Sequence, residues 1–216
     1  MDVADSRVEM IRLLIEHGAD PNRKGAGAYA AEPIFHCFFA DEVRVLLDAG
    51  ANIDVRQRPL NETPLMKCGQ LATMFPEYVN IAKLLVKRGA DLSLTCRLGL
   101  DAETRAHRHW ESTHNLQTAN PNAADAISNM DLTSSRHLAD WLRDVRLAGG
   151  YEKFAKEPRV TLARLRLLCE HGRASPPDDA TNEARALERL FGPRKPFPKG
   201  VFWLVVQFWQ SDRDVY

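Results

Sequence analysis

The sequence predicts an all-α protein built from stacked helical repeats. Three segments, residues 13–22, 46–54 and 84–93, each run from a pair of aliphatic residues into Gly-Ala followed by Asp or Asn. Before each glycine the apolar residues fall three or four positions apart, which is typical of a helix that buries one face. Units of this kind bury their apolar sides only by stacking on their neighbours, so the repeats predict an elongated array.

The three repeats share a glycine at the point where the helical pattern stops. These residues are Gly18, Gly50 and Gly89. The position just after a helix commonly adopts a left-handed backbone conformation, which glycine reaches without steric cost. We therefore expect each of these glycines to end a helix and to turn the chain.

A second helix is predicted upstream of the later repeats. Thr63 can cap a helix, and Pro64 suits the first helical position because the amide hydrogen there has no partner. The corresponding slot before the second repeat reads Glu32-Pro33, which keeps the proline and loses the hydroxyl cap. Each later unit should thus hold two helices, with a weaker first helix in the second unit.

A proline-opened helix, a second helix, Gly-Ala-Asp and an extended finger together resemble the ankyrin repeat, whose pattern contains Thr-Pro-Leu-His and Gly-Ala-Asp-Val-Asn. Met66 stands where that family usually has histidine, and the glycine spacings of 32 and 39 residues depart from a period of about 33. We expect a trimmed second unit and an insertion around residues 69–77 in the third. The resemblance covers residues 8–100 and implies an ankyrin-repeat solenoid of about three to four units.

Two domains are predicted, with ankyrin repeats in residues 1–150 and a helical capping or docking segment in residues 151–216. The first unit lacks its first helix, and an exposed face there would invite self-association. The fourth unit is degenerate, and its polar stretch at 112–135 is typical of an inserted loop. The C-terminal segment should begin with a helix opened by Pro158.

Composition and motifs exclude several classes of function. The chain carries 29 basic and 29 acidic residues, which argues against field-driven binding to nucleic acid or to a membrane surface. Four separated cysteines without a Cys-x-x-Cys pair, and no signal peptide or membrane span, predict a cytoplasmic or nuclear protein. His107, His109 and His114 have poor spacing for zinc, and no catalytic motif is present. We expect that the chain is not an enzyme and that it binds no cofactor and no metal.

The predicted fingers, residues 21–31, 55–61 and 93–100, contain basic residues and not one Asp or Glu. Ankyrin proteins bind other proteins through such fingers and through the concave face, so the resemblance implies a non-catalytic protein-interaction module. An aligned basic ridge would suit an acidic or phosphorylated partner segment, whereas the alternative is a solvated edge. The candidate partner-binding residues are Arg23, Lys24, Tyr29, Arg56, Arg58 and Arg97.

The C-terminal segment carries a second resemblance. Leu165-x-x-Leu168-Cys169, followed by Pro196-Phe197-Pro198-x-x-Val201, is similar to a SOCS box. In that family the first motif engages elongin C and the second selects a cullin. The resemblance implies an alternative function, a substrate-recognition subunit of a ubiquitin ligase, with Leu165, Cys169, Pro198 and Val201 in docking. The competing interpretation is that the apolar helix at 198–209 caps the repeats.

Overall fold

A computed structural model describes residues 3–26, 30–119 and 132–170 of the 216-residue chain. Helices are the regular secondary structure of this part, which contains no strand and a single isolated bridge between Gln57 and Glu62. The prediction of an all-α fold is confirmed for these residues. In chain order the helices are α1 (Val3–Glu16), the 3-10 helix η1 (Pro33–His36), α2 (Ala40–Asp48), α3 (Pro64–Leu71), α4 (Glu77–Lys87), α5 (Ala102–Ala119), α6 (Leu132–Leu147) and α7 (Tyr151–Glu170).

The first six α-helices and η1 form two rows. One row runs α1, α2, α4, α6, and the other runs η1, α3, α5, with each helix in contact with the next in its row. The rows are joined in pairs, since η1 packs on α2, α3 on α4, and α5 on α6. Leu65, Leu85 and Leu142 are fully buried in this layer. The chain divides into two compact units between Tyr151 and Glu152, and both rows lie in the first.

The predicted helix ends at glycine are confirmed. Gly18, Gly50 and Gly89 have φ of 85°, 89° and 93°. In each case the amide of the next residue donates to a carbonyl five positions earlier, as Ala19 does to Leu14 at 2.9 Å. This is the Schellman arrangement, which satisfies carbonyls at the helix end. Helix α6 ends in the same way at Gly149, with φ of 81°.

Asparagine and aspartate side chains connect successive units. Asn22 Nδ2 donates to the Gly50 carbonyl at 3.0 Å, and the Asn52 amide donates to Asn22 Oδ1 at 2.7 Å. One unit further along, the Asp91 amide donates to Asp54 Oδ1 at 3.1 Å. Each side-chain acceptor lies four residues after a helix-ending glycine, and each backbone amide that donates to it lies two residues after the next such glycine. We call these bonds the Asx ladder, and they fix the register between neighbouring units.

Helix starts also follow the sequence. The Thr63 side chain accepts a hydrogen bond from the Met66 amide at 3.3 Å, and Pro64 occupies the first position of α3. Glu32 makes no side-chain cap, and η1 is a single 3-10 turn rather than a full α-helix. The missing hydroxyl therefore coincides with the weaker start that the sequence predicts.

Two boundaries differ from the sequence prediction. The loop expected at 112–135 is wrong at both ends, because α5 continues to Ala119 and α6 begins at Leu132. Polar side chains fit these helix turns by bonding back to carbonyls, as Ser112 Oγ does to Arg108 at 2.9 Å. Pro158 does not open a helix but lies inside α7. The preceding glycines end α6, so the next helix begins at Tyr151, well before the proline.

The left-handed glycine at the end of α4 provides a test of the repeat register. Gly89→Val should lower the free energy of unfolding by about 2 kcal/mol or more, because a β-branched residue is strongly disfavoured at positive φ. Urea denaturation would measure the loss. Gly25→Ala is the control, since an added Cβ meets only the Ala31 carbonyl oxygen at 3.8 Å. Equal stability of the two variants would contradict the assigned register.

The Asx ladder is tested by two substitutions at one residue. Asn22→Ala removes both inter-unit hydrogen bonds and should cost about 1–2 kcal/mol of unfolding free energy. Asn22→Asp keeps the acceptor for Asn52 but loses the donor to Gly50, so its effect should be smaller or shifted by repulsion from the carbonyl. Asn80→Ala on α4 is the control, because Asn80 makes no side-chain hydrogen bond within the described residues. A harmless Asn22→Ala would show that the ladder adds no stability.

Candidate functional site

The second and third fingers are bound together by hydrogen bonds. The Arg97 amide donates to the Leu60 carbonyl at 2.8 Å. Arg56 Nη1 donates to the Thr95 carbonyl at 2.8 Å and to the Asn61 carbonyl at 3.1 Å. The bond between Arg56 and Thr95 joins residues 39 positions apart, whereas the bond to Asn61 lies within the second finger. The guanidinium group of Arg56 is thus a tie between fingers, and the two fingers form one surface.

Two other finger arginines lie around a single opening. A cavity of about 540 Å³, which we call the arginine pocket, is lined by Arg58, Pro59, Asn61 and Arg97. Arg97 Nη1 makes one long contact with the Pro59 carbonyl at 3.4 Å, and within the described residues the exposed Arg58 side chain has no partner. Guanidinium groups present forked donors that match carboxylate and phosphate oxygens. The arginine pocket can therefore receive an anionic group.

The first finger does not contribute to this pocket. Lys24 Nζ lies 3.3 Å from the buried carboxylate of Glu32, so its charge is used within the chain. Arg23 is exposed, and Tyr29 lies outside the described residues. Of the six predicted binding residues, the structure brings Arg58 and Arg97 together and assigns Arg56 and Lys24 to internal contacts. The sequence signal for the Lys24 pair was Glu32, directly after the finger.

A second polar cavity lies on the helices of the η1–α3–α5 row. Its volume is about 220 Å³, and its lining includes Gln70, Arg105, Arg108 and His109. Arg105 pairs with the buried Glu62 and donates to Gln70 Oε1 at 3.1 Å. Burial, with a smaller contribution from Arg105, lowers the pKa of His109, so this imidazole is neutral near pH 7. Arg108 is exposed and has no partner among the described residues, so its charge is available to a ligand.

Aromatic rings line a third cavity, which the sequence analysis missed. We call it the aromatic pocket; its volume is about 350 Å³, and it is lined by Arg7, Phe38, Phe39, Phe75, Glu77 and Tyr78. The ring centroids of Phe38, Phe75 and Tyr78 lie 6.2–6.4 Å apart in pairs. Burial raises the pKa of Tyr78 to about 12. Aromatic residues at the starts of α2 and α4 were the available signal.

Arg7 on α1 is held at the wall of the aromatic pocket by a buried carboxylate. It pairs with Glu42, which is fully buried and also accepts the Phe38 amide at 2.8 Å. The guanidinium carbon of Arg7 lies 5.4 Å from the centroid of the Phe38 ring. The charges of Arg7 and Glu42 offset one another, so the unpaired charge at this pocket is the Glu77 carboxylate.

Candidate metal and thiol residues make other contacts. In the described ranges no three His, Cys, Asp or Glu residues are grouped as metal ligands. His107 and His114 pack on the Trp110 ring, with centroid distances of 5.6 and 5.4 Å. Burial raises the pKa of Cys37 to about 12, so this thiol is protonated at neutral pH.

The predicted adaptor residues fall mainly beyond the described part of the chain. Leu165 and Cys169 belong to α7, and their side chains lie outside the described residues. Pro198, Val201 and the whole apolar stretch 198–209 also lie outside them. The contact expected between that stretch and α6 therefore stays a prediction.

The free energies of unfolding of two variants distinguish the roles of Arg56 and Arg58. Arg56→Ala removes one hydrogen bond between the fingers, to Thr95, and one within the second finger, to Asn61, and should lower the free energy of unfolding by about 1–2 kcal/mol. Arg58→Ala removes an exposed side chain and should leave it within about 0.5 kcal/mol of the wild type. Urea titration of both variants measures the difference. Equal losses would contradict the assignment of Arg56 as the tie.

Comparisons with family models and with curated proteins find no match. A search for membrane spans among the described helices also finds none that is long and apolar enough to cross a bilayer. Function is therefore inferred from the chain's own residues and their geometry.

Proposed function

We propose that the chain is a non-catalytic protein-interaction module of the ankyrin-repeat type, which binds a partner through its fingers and the adjacent η1–α3–α5 row. Three features support an ankyrin-type solenoid. Helices pair across two rows, four helices end at left-handed glycines, and the Asx ladder repeats at a fixed position relative to those glycines. A stack of this kind presents its fingers along one edge.

The arginine pocket is the observation that carries the choice of partner. Arg58 and Arg97 come from different fingers, and backbone hydrogen bonding between the fingers holds them around one cavity. An anion bound there is met by two guanidinium groups without the loss of an existing salt bridge. A carboxylate or a phosphate monoester fits this chemistry, and the phosphate gains more because it carries about two negative charges.

The cavity on α5 supports a binding surface that extends beyond the finger tips. Arg108 supplies a further exposed cation, while Arg105 is held by Glu62 and Gln70 and keeps the α3–α5 surface in place. Arginine side chains line both cavities, which suits an extended peptide with several acidic residues better than a compact apolar ligand.

Binding of acidic peptides tests this function directly. The probes are a fluorescent peptide rich in Asp and Glu, the same peptide with one phosphoserine, and a neutral analogue, read by fluorescence polarisation. We expect the two acidic probes to bind, the phosphopeptide more tightly, and affinity to fall with added salt. Arg58→Glu together with Arg97→Glu should weaken binding about tenfold or more, with little change in melting temperature.

A single charge reversal provides the matched control. Arg164→Glu changes the net charge by the same amount as Arg58→Glu, and it alters an exposed residue on α7. If the two single variants weaken binding equally, the effect comes from overall charge and the arginine pocket is not the site. If the neutral peptide binds as tightly as the acidic probes, the proposed partner chemistry is wrong.

The alternative of a ubiquitin-ligase receptor gains no support from the described residues. Its motifs lie in side chains of α7 that are not described and in residues beyond 170. It stays a prediction from the sequence resemblance.

A further inference from the structure

Helix α1 exposes apolar side chains at positions that are buried in the other repeats. Met10, Leu13 and Leu14 are 57%, 51% and 52% exposed. They lie eight, five and four residues before Gly18, the glycine that ends this helix. We call this set the α1 strip. Helix α1 packs on α2, and on the side of α1 opposite the strip Val8, Ile11 and Ile15 are partly buried.

The equivalent residues of α2 and α4 show what the strip lacks. Four residues before the glycine, Leu46 and Leu85 are 3% and 0% exposed, against 52% for Leu14. Eight residues before it, Ile81 of α4 is 3% exposed. In the third unit α4 packs on helix α3, the first helix of the same unit, and also on α2 and α6. The covering element at this position of the repeat is therefore a helix.

Acidic side chains border the α1 strip. Glu9 lies four residues before Leu13 and Glu16 lies three residues after it, so both carboxylates neighbour Leu13 on the helix surface. Both are exposed, and neither has a partner among the described residues. Arg12 lies on the far side of these two carboxylates, away from Met10. The border is thus negative, and a ligand with basic residues alongside its apolar side complements it.

We propose that the α1 strip binds an amphipathic helix of a partner protein, whose apolar side is bordered by Lys or Arg residues. The apolar side takes the place that α3 occupies on α4, and the basic border meets Glu9 and Glu16. The strip also continues towards the aromatic pocket, because Arg7 lies one turn before Met10 and lines that cavity. A large apolar side chain of the partner helix can enter there, next to the Glu77 carboxylate.

A second copy of this chain is a poorer occupant. If two α1 strips pair antiparallel about a two-fold axis, the same border of each copy meets at the interface. Glu9 and Glu16 of one copy would then face the same carboxylates of the other, and like charges repel. Self-association through this face is therefore an outcome to be tested against the partner helix.

The test uses a defined peptide and the full chain. The probe is a fluorescent helix-stabilised peptide with leucines at positions i, i+3, i+4 and i+7 and lysines along one border; its counterpart carries glutamates in place of the lysines. We expect the lysine peptide to bind, and Met10→Ser with Leu13→Ser to weaken it at least tenfold. Leu147→Ser on α6, at a residue that is 72% exposed, is the matched control and should bind as the wild type does.

Charge reversal supplies a readout that general stickiness would not give. Glu9→Lys with Glu16→Lys should reverse the preference, so that the glutamate peptide binds better than the lysine peptide. Because all four substituted residues are exposed, each variant should remain folded, and thermal melts check this. Equal binding of both peptides, or no effect of the α1 variants, would overturn the proposal. Sedimentation showing a dimer that Met10→Ser with Leu13→Ser dissolves would instead assign the strip to a second copy.

Discussion

The left-handed glycine at the end of each helix in the α1–α2–α4–α6 row is the constraint on which the architecture depends. It reverses the chain within two residues and places the following Asp or Asn at a fixed distance from the helix. Asn22 and Asp54 can then reach backbone amides of the next unit, because acceptor and donor both lie at a fixed number of residues after a helix-ending glycine. A helix that overran its glycine by one residue would rotate these side chains away. The Asx ladder and the finger register would be lost together.

The finger surface follows from that register. Because the units are aligned, the Arg97 amide meets the Leu60 carbonyl, and the Arg56 guanidinium reaches Thr95. Of the finger arginines, Arg56 is the one whose guanidinium group joins the two fingers. Among the described residues the Arg58 side chain has no partner, and the Arg97 side chain makes one long contact to the Pro59 carbonyl. The same packing that stabilises the fingers thus determines which cations are available to a ligand.

Local features of this chain could be predicted from sequence, and long-range pairings could not. Thr63, Pro64 and the helix-ending glycines act on backbone groups only a few residues away. Their residue type and position in the sequence are therefore enough to predict their role. The Asx ladder and the Arg56 tie join residues 28 to 39 positions apart, and a single sequence does not show which partners meet. Counting charges within the fingers also missed Glu32, which neutralises Lys24 from just outside. The polarity of residues 112–135 predicts a loop, whereas the hydroxyl groups of Ser112 and Thr113 bond back to helix carbonyls.

A net charge of zero conceals two surfaces of opposite character in the first compact unit. Arg58 and Arg97 surround a cavity without a paired carboxylate, while Glu9 and Glu16 border an apolar strip. A chain without net charge has no overall field to attract a ligand from a long distance. The exposed charges of each surface are also screened beyond about 8 Å at physiological salt. Recognition must then come from short-range complementarity at each surface. The finger edge favours charge with little apolar burial, and the α1 strip favours apolar burial with charge as a selector. The two proposed surfaces therefore differ in the chemistry of the ligand that each would bind.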